Sequence, residues 1–337
     1  MRQVWIPKIG GPEVLEVREA PDPEAKPGEI RIRVKAAGVN FADLLARQGL
    51  YPDAPKLPTV VGYEVAGVVD QAEPGSGFLV GDRVGAFTRF GGYSDTVVVP
   101  AAFAFPLSPT LSFEEGAAIP VNYLTAWLML VNQGNVQQGD KVLIHAVAGG
   151  VGQAALQICR WRGAEVYGTA SAAKHARLRE LGVAHCIDYH RQDFEAEVRR
   201  LTGGRGVEIV LDAVGGESYR KSYRCLAALG KLMMFGISSF SSSERRSLLA
   251  VAKGMWRMPS FKPLALLNEN RGVMGFNLGH LWDRGEALAR AMKDILGLIA
   301  EGKLRPTVDR AFPLERAAEA HAYLHARQNF GKVLLKP

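Results

Sequence analysis

The chain has 337 residues, of which 47% are hydrophobic and 22% are charged, and its formal net charge is +7. This length suffices for two domains, and no apolar run reaches the roughly 18 residues that a membrane-spanning helix needs. The positive charge suits an anionic cofactor. The basic residues form no dense stripe with interleaved aromatic residues, so nucleic acid is not expected as a partner.

The N-terminus and the cysteines indicate the compartment. Glu13 and Glu16 stand where a secretory signal peptide would be apolar. The three cysteines, Cys159, Cys186 and Cys225, are too few for a disulfide framework. We therefore expect a cytoplasmic protein.

The first 120 residues predict a β-rich domain, because short apolar or alternating segments are separated by Pro and Gly. One short helix is expected from Asn40 to Arg47, with Asn40 as its N-cap and Gly49 at its end. Strands without long intervening helices favour a rolled sheet or a partial barrel. The predicted strands span residues 2–7, 14–18, 29–37, 64–70, 82–87 and 92–99.

From about Ser112 onward, strand and helix patterns alternate as in a doubly wound α/β fold with a parallel sheet. One helix is predicted over residues 113–131. The expected strands span residues 142–146, 165–169, 185–188, 209–213, 231–236 and 272–276. Helices over residues 284–301 and 314–327, with strands near residue 308 and over 331–335, are expected to return to the first domain.

The segment from Lys141 to Ser171 predicts a dinucleotide-binding βαβ unit. A buried strand is followed by a glycine turn and by a helix up to Arg162. Free N–H groups at the start of this helix favour a pyrophosphate, and glycine allows close approach. Val147 replaces the first glycine of the usual fingerprint, so a glycine-rich turn without ligand is the competing interpretation. The turn residues are Ala148, Gly149, Gly150, Val151 and Gly152.

The end of the second strand of this unit indicates which nucleotide binds. An NAD site usually has an acidic residue there, and this chain has Thr169, Ala170 and Ser171, followed by Lys174. A hydroxyl and an ammonium group suit a 2′-phosphate, so the sequence favours NADPH. In the alternative interpretation, Ser171 caps the next helix and Lys174 is solvated.

Three segments carry a family resemblance. GVNFADLLARQGLYP at 38–52, AVAGGVGQAALQICR at 146–160 and GTASAAKHARLRELGVAHCIDYH at 168–190 resemble the medium-chain dehydrogenase/reductase superfamily. Within it, the chain is most similar to the zinc-free quinone oxidoreductases that include ζ-crystallin, and to their vesicle-amine-transport-protein-like sub-branch. The resemblance implies the first part of a GroES-like catalytic domain (1–120), a Rossmann domain that binds NADPH (121–268), a last segment that ends the Rossmann sheet and returns to the catalytic domain (269–337), and a homodimer.

The resemblance also raises the question of zinc. The positions that hold catalytic zinc in the related alcohol dehydrogenases correspond here to Asn40, Tyr63 with Glu64, and about Val121. Zinc favours thiolate and imidazole ligands, and a single carboxylate does not hold it. No cysteine precedes Cys159, so the structural zinc lobe is also missing. We therefore expect a metal-free protein.

Without a Lewis acid, the expected substrates are quinones or α,β-unsaturated carbonyl compounds, which accept hydride readily. The resemblance to metal-free enoyl-thioester reductases makes Tyr51 the first candidate proton donor, although it also fits a packed loop residue. Asn40 and Asp43 are the next candidates; Asn40 also suits a helix cap. Tyr63 is expected to provide shape more than chemistry.

Further cofactor contacts follow from the resemblance alone, and each of these residues also has a structural interpretation. Asn122 and Thr125 match the position that holds the nicotinamide amide. Tyr189 matches a tyrosine that joins Lys174 at the 2′-phosphate. Strand ends and the C-terminal tail supply the remaining matches, namely Phe235, Gly236, Ile237, Phe276, Asn277, Leu278, Asn329 and Lys332.

The stretch over residues 240–268 does not fit this scheme. It carries five basic residues against the single acid Glu244, and its apolar residues are spaced as in a helix that ends before Pro259. Such a segment can lie on an anionic membrane. The favoured interpretation is an insertion that covers the cleft or packs at a subunit boundary. The alternative function is a nucleotide-regulated protein that binds a lipid or a membrane.

Overall fold

The computed structural model describes residues 1–241 and 243–337. The N-terminal part is built mainly of short strands, as the sequence predicts. Its elements are β1 (Arg2–Trp5), β2 (Glu16–Glu19), β3 (Glu29–Val39), α1 (Phe41–Arg47), β4 (Glu64–Ala72), β5 (Arg83–Phe87), β6 (Thr96–Pro100) and β7 (Ala104–Pro106).

Strands and helices alternate in the rest of the chain. The elements are α2 (Phe113–Ala117), α3 (Pro120–Trp127), β8 (Lys141–Ile144), α4 (Gly150–Arg162), β9 (Glu165–Ala170), α5 (His175–Glu180), β10 (His185–Asp188), α6 (Phe194–Leu201), β11 (Val207–Asp212), α7 (Glu217–Arg224), β12 (Leu226–Met234), α8 (Leu248–Trp256), α9 (Pro263–Glu269), β13 (Gly272–Gly275), α10 (Gly285–Ala300), β14 (Val308–Pro313), α11 (Ala317–His325) and β15 (Lys332–Lys336). Within the described residues, no helix is both long and apolar enough to cross a bilayer.

The six predicted strands of the nucleotide-binding part form one sheet in the order β10-β9-β8-β11-β12-β13, and every neighbouring pair is parallel. This order is that of a Rossmann fold, and it reverses direction between β8 and β11. The α/β fold class predicted from the sequence is confirmed. Ligands of such sheets bind at the carboxyl ends of the strands beside this switch point.

The second sheet combines both ends of the chain. Its main path is β14-β15-β3-β4-β5-β7, with β6 paired to β3. Strand β15 runs antiparallel to β3, with Val333 opposite Val39. Alternate residues of β15 enter different cores: Leu334 packs with the Rossmann helices, and Val333 and Leu335 pack inside the N-terminal sheet. The last strand therefore ties the two halves together.

Three local predictions were wrong. The helix predicted over 113–131 is two helices, α2 and α3, because Pro120 has no N–H and stands in the first turn of the second one. Strand β7 was missed because it has only three residues, and it pairs with β5. The strand predicted at 14–18 begins at Glu16, after a short 3₁₀ turn at Pro12–Val14.

The role predicted for the 240–268 stretch, covering the cleft or packing at a subunit boundary, stays a prediction. Several apolar side chains of α8 and α9 are exposed to solvent, whereas Phe240 is buried and Met258 and Phe261 pack against the core. The most exposed are Leu248 (67%), Leu249 (85%), Met255 (60%), Trp256 (84%), Leu264 (74%) and Leu267 (70%). Helical periodicity correctly located this helix, but it does not show which element covers the apolar side chains.

The packing of β15 gives a stability prediction. The substitution Leu334→Ala removes a side chain that is 0% exposed. We expect it to lower the free energy of unfolding by about 2–5 kcal/mol, since a cavity is added to the lost transfer energy. The control Leu79→Ala changes a leucine that is 74% exposed and should stay within about 0.5 kcal/mol of the parent. Denaturant titration measures both, and equal losses would contradict the assigned core.

Candidate functional site

The turn between β8 and α4 has the close geometry expected for a pyrophosphate site. A Cβ on Gly150 would lie 2.6 Å from the Asn122 side chain, and one on Gly152 would lie 2.4 Å from the carbonyl oxygen of Ala146. Helix α4 starts directly in this turn and has 13 residues, so its free N–H groups and its dipole point out of the turn. The turn therefore fits the phosphates of a dinucleotide.

The C-terminal segment closes one side of this turn. Gly331 N donates to the carbonyl of Ala148 at 2.8 Å, and Asn329 Nδ2 donates to the carbonyl of Gly331 at 2.9 Å. Asn329 is thus buried within its own loop. The contact between Asn329 and the cofactor stays a prediction. In this structure the side-chain amide of Asn329 already donates to the carbonyl of Gly331.

Two of the residues predicted to bind the 2′-phosphate, Ser171 and Lys174, lie just after β9. Lys174 Nζ donates to the carbonyls of Arg327 (2.7 Å) and Asn329 (2.6 Å). These two hydrogen bonds fix the position of a partly buried ammonium group. Ser171 makes no side-chain capping bond to the following turn. Both features differ from the alternative in which Ser171 is a cap and Lys174 is solvated. Burial lowers the pKa of Lys174.

Arg327 was not predicted. Its guanidinium carbon lies 5.8 Å from the ring centroid of Tyr189, and its backbone φ is 55°, a left-handed value that is uncommon for a residue other than glycine. A second cation beside a phenol and a hydroxyl suits a phosphate dianion. The only sequence signal was that Arg327 precedes Asn329, because nothing local connects it with Tyr189.

The predicted nicotinamide residues lie on the other side of the turn. Asn122 and Thr125 are buried on α3, and Asn122 Nδ2 donates to the carbonyl of Ala118 at 3.2 Å. Gly236 follows β12, and its carbonyl accepts from Tyr219 Oη at 2.5 Å. Phe235 and Ile237 flank it at the carboxyl edge of the sheet. Phe276 belongs to the core next to β13, so its side chain supports this edge.

A cavity of about 550 Å³ lies beside this edge, between the two sheets' loops. Two tyrosines form its wall: the ring centroids of Tyr51 and Tyr63 are 6.2 Å apart in an edge-to-face contact. Burial raises the pKa of each phenol above its usual value, so both stay protonated at neutral pH. The Tyr63 hydroxyl is buried and has no hydrogen-bond partner among the described residues. The other lining residues are Asp53, Arg89, Phe90, Gly279, His280, Trp282 and Asp283.

The segment after β13 closes this cavity against the loop that carries Tyr51. Asn277 Nδ2 and His280 Nε2 lie 3.0 and 2.8 Å from the Asp53 carboxylate. Leu278 lies between them and packs against the main core. The two halves of the chain therefore meet at the cavity that holds Tyr51.

A buried ion pair occupies the position that corresponds to the zinc site. Lys332 Nζ contacts the Glu64 carboxylate and donates to Asn40 Oδ1 at 2.6 Å. Asn40 Nδ2 donates to Glu64 at 3.1 Å, and Val121 N donates to its second oxygen at 2.7 Å. Every oxygen of this carboxylate is bound, and an ammonium group stands among the donors. These residues do not fit a zinc ion.

The same contacts define what Asn40, Lys332 and Asp43 do. The Asn40 amide bonds to Glu64 and Lys332, and Asn40 is also the N-cap residue of α1, whose backbone N–H donates to the Asp43 carboxylate. Lys332, predicted to contact the cofactor, is 2% exposed and engaged in the ion pair. Asp43 is fully buried and supports the backbone at Asn40 and Gly62; it does not line the cavity.

Known proteins resemble this chain over almost its full length. Residues 26–109 match the alcohol dehydrogenase GroES-like domain, and residues 181–335 match the family described as zinc-binding dehydrogenase. The rat synaptic vesicle membrane protein VAT-1 homolog is 42% identical over 96% of this chain and 80% of its own. A quinone oxidoreductase of Pseudomonas aeruginosa is 34% identical over 100% of this chain and 99% of its own.

A solved structure shows the same architecture. Escherichia coli quinone oxidoreductase, complexed with NADPH, superposes with a TM-score of 0.88 and 31% identity over 100% of both chains. Sequence and fold thus agree along the whole chain. The chain belongs to the medium-chain dehydrogenase/reductase superfamily of oxidoreductases, in the group that contains the quinone oxidoreductases and the VAT-1 homologues.

Proposed function

We propose that the protein is a zinc-independent, NADPH-dependent reductase of quinones or α,β-unsaturated carbonyl compounds. The observation that carries this proposal is the pairing of two features: a tight turn at Gly149–Gly152 with Lys174 and Arg327 near the end of β9, and a cavity walled by two protonated tyrosines. The similar E. coli structure is a complex with NADPH, and the similar proteins include a quinone oxidoreductase. Both findings support the proposal.

The reaction follows from what the turn and the cavity offer. NADPH would supply a hydride when bound; the phosphate turn would hold its pyrophosphate, and Asn122 and Thr125 would hold its nicotinamide. Holding two reactants in contact removes several kcal/mol of barrier. Tyr51 donates a hydrogen bond or proton to the oxygen that becomes negative as the acceptor carbon takes the hydride. Tyr63 shapes the wall beside it.

The filled zinc position supports the choice of substrate. The Lys332–Glu64 pair leaves no open ligand, so the acceptor must be polarised by hydrogen bonds. Conjugated carbonyls and quinones spread the incoming charge and need less polarisation than simple ketones. We place the enzyme in the cytoplasm, and its homodimer stays a prediction; β13 is the outer strand of its sheet, with exposed Leu264 and Leu267 nearby in sequence.

One observation favours the second candidate, attachment to an anionic membrane. Helix α8 exposes Leu249, Trp256 and two further apolar side chains, and basic residues flank them at Arg245, Arg246 and Lys253. In a two-fold dimer through α8, each basic segment would face its own copy or lie next to it, which like charges oppose. Anionic phospholipid matches both the apolar side chains and the charge.

The phosphate pocket gives a specificity prediction. The substitution Arg327→Gln removes one cation from the pocket. We expect the Kd for NADPH to rise about tenfold or more, because a charge-assisted bond is worth about 1.5–3 kcal/mol, and the Kd for NADH to stay nearly unchanged. Fluorescence titration of the reduced nicotinamide measures both constants. The control Arg205→Gln changes an exposed cation paired with Glu208. Equal weakening of both nucleotides would contradict the assignment.

The tyrosine pair gives a catalytic prediction. We expect Tyr51→Phe to lower kcat by about 10- to 100-fold with an enone or quinone acceptor, since the oxygen loses its donor, while the Kd for NADPH is kept. Tyr63→Phe preserves the ring and is the matched control, with a change in kcat below about threefold. Absorbance of NADPH, with and without chelator, gives the rates. A larger loss in Tyr63→Phe than in Tyr51→Phe would reverse the two roles.

The exposed helix gives a binding prediction. We expect the protein to sediment with vesicles of mixed phosphatidylserine and phosphatidylcholine at low salt, and to be released by salt, because exposed charge attraction is screened. The double variant Arg245→Glu/Arg246→Glu and the variant Trp256→Ser should both lose binding, while Arg205→Glu keeps it. Absent or salt-independent binding rejects the membrane. Conversion of a dimer to a monomer by Trp256→Ser, seen by light scattering, would identify α8 as a subunit interface.

A further inference from the structure

A second buried polar cluster lies behind the cavity, and no step of the proposed reaction uses it. It contains Asp43 and Arg47 of α1, Tyr93 of the segment before β6 and His321 of α11, each 0% exposed. Burying four polar side chains is costly unless their hydrogen bonds are satisfied. Three separate parts of the chain therefore contact one another here through buried polar side chains, although apolar side chains usually fill such a position.

In this cluster each group donates a hydrogen bond to the next, from Arg47 through His321 and Tyr93 to Asp43. Arg47 Nη1 has only protons to offer and lies 3.3 Å from His321 Nδ1, so Nδ1 accepts. The ring proton is then on Nε2, which donates to Tyr93 Oη at 3.0 Å. Burial and Arg47 keep the pKa of His321 well below its usual value, so the ring is neutral. Tyr93 Oη in turn donates to Asp43 Oδ2 at 3.1 Å.

Asp43 also accepts hydrogen bonds from the backbone of two parts of the candidate site. Its Oδ2 accepts from the backbone N–H of Asn40 at 2.8 Å, and its Oδ1 accepts from the N–H of Gly62 at 3.1 Å. Gly62 has a φ of 101° and precedes Tyr63 in the cavity wall. The carboxylate thus fixes both the turn that carries Tyr63 and the start of α1. A protonated carboxyl cannot accept all three bonds.

The charges around Asp43 determine when it is ionised. Lys332 of β15 and the donors Tyr93, Asn40 N–H and Gly62 N–H favour the carboxylate, and burial opposes it; the balance raises the pKa of Asp43 to about 7. The neighbouring phenol of Tyr63 is neutral, and Glu64 is neutralised by Lys332. Asp43 therefore changes its charge within the ordinary working range of an enzyme.

We infer that Tyr93 and His321 are positioning residues: the hydrogen-bond chain from Arg47 favours the ionised form of the Asp43 carboxyl, and the carboxylate holds Asn40 and the Gly62–Tyr63 turn in their places at the cavity. This inference rests on the proposed reductase function. Uptake of a proton by Asp43 releases the turn, so activity falls on the acid side. The folded state then binds a proton that the unfolded state does not, so this protonation stabilises the fold and the loss is not acid unfolding.

The test compares the pH dependence of kcat/KM in the parent, in Tyr93→Phe and in Tyr323→Phe. The control removes a hydroxyl on the same helix as His321, which donates to Asp309 at 2.8 Å outside the chain. We expect an acid limb near pH 7 in the parent. Loss of a donor to the carboxylate should move it about one pH unit higher in Tyr93→Phe and leave it in place in the control.

A second readout does not depend on turnover. In protein labelled with ¹³C at the aspartate carboxyls, one resonance should titrate near pH 7, disappear in Asp43→Asn and titrate higher in Tyr93→Phe. The inference is wrong if the acid limb or the resonance does not move in Tyr93→Phe. It is also wrong if either one moves equally in Tyr323→Phe. If no acceptor is reduced but the resonance behaves as expected, the proposed reaction fails and the hydrogen-bond chain stands, so the two failures are separable.

Discussion

The buried pair of Lys332 and Glu64 is the interaction on which the arrangement of the site depends. It joins the last strand to β4, and through Asn40 and the N–H of Val121 it also fixes the starts of α1 and α3. Taking two charges out of water is costly, and removing one partner of such a pair typically costs about 3–5 kcal/mol. The pair is tolerated because every acceptor of the carboxylate is bound. The Lys332–Glu64 pair occupies the position that corresponds to the metal site of the zinc-dependent relatives. In this chain the ammonium group of Lys332 therefore connects these elements.

The same strand links the substrate side to the cofactor side. Residues of β15 alternate between the two cores, and the segment just before it bonds the phosphate turn at Ala148 and presents Arg327 and Asn329 to Lys174. A change in this C-terminal segment therefore affects both the glycine turn and the buried pair at Glu64.

The sequence predicted the local features and missed those that depend on distant residues. Apolar strands between turn residues located all six strands of the Rossmann sheet, and the glycine motif located the tight turn between β8 and α4. The partners of Lys332 and Arg327 could not be predicted, because Glu64 and Tyr189 are far away in sequence and only the fold brings them together. The chain through Tyr93 and His321 has the same origin. For α8, periodicity gave the helix but not its surroundings, because the same pattern suits a core, a subunit interface or a membrane.

The electrostatics of the site limit the chemistry that it can perform. The buried charge of Glu64 is balanced by Lys332, so this ammonium group is not free to polarise a bound carbonyl. In the cavity wall, the raised pKa values of Tyr51 and Tyr63 keep both phenols protonated as hydrogen-bond donors. A donor of this kind stabilises a delocalised enolate or hydroquinone oxygen better than the localised alkoxide of a simple ketone, because less charge has to be neutralised at one atom. The Lys332–Glu64 pair and the two phenols thus support the conjugated acceptors that we propose.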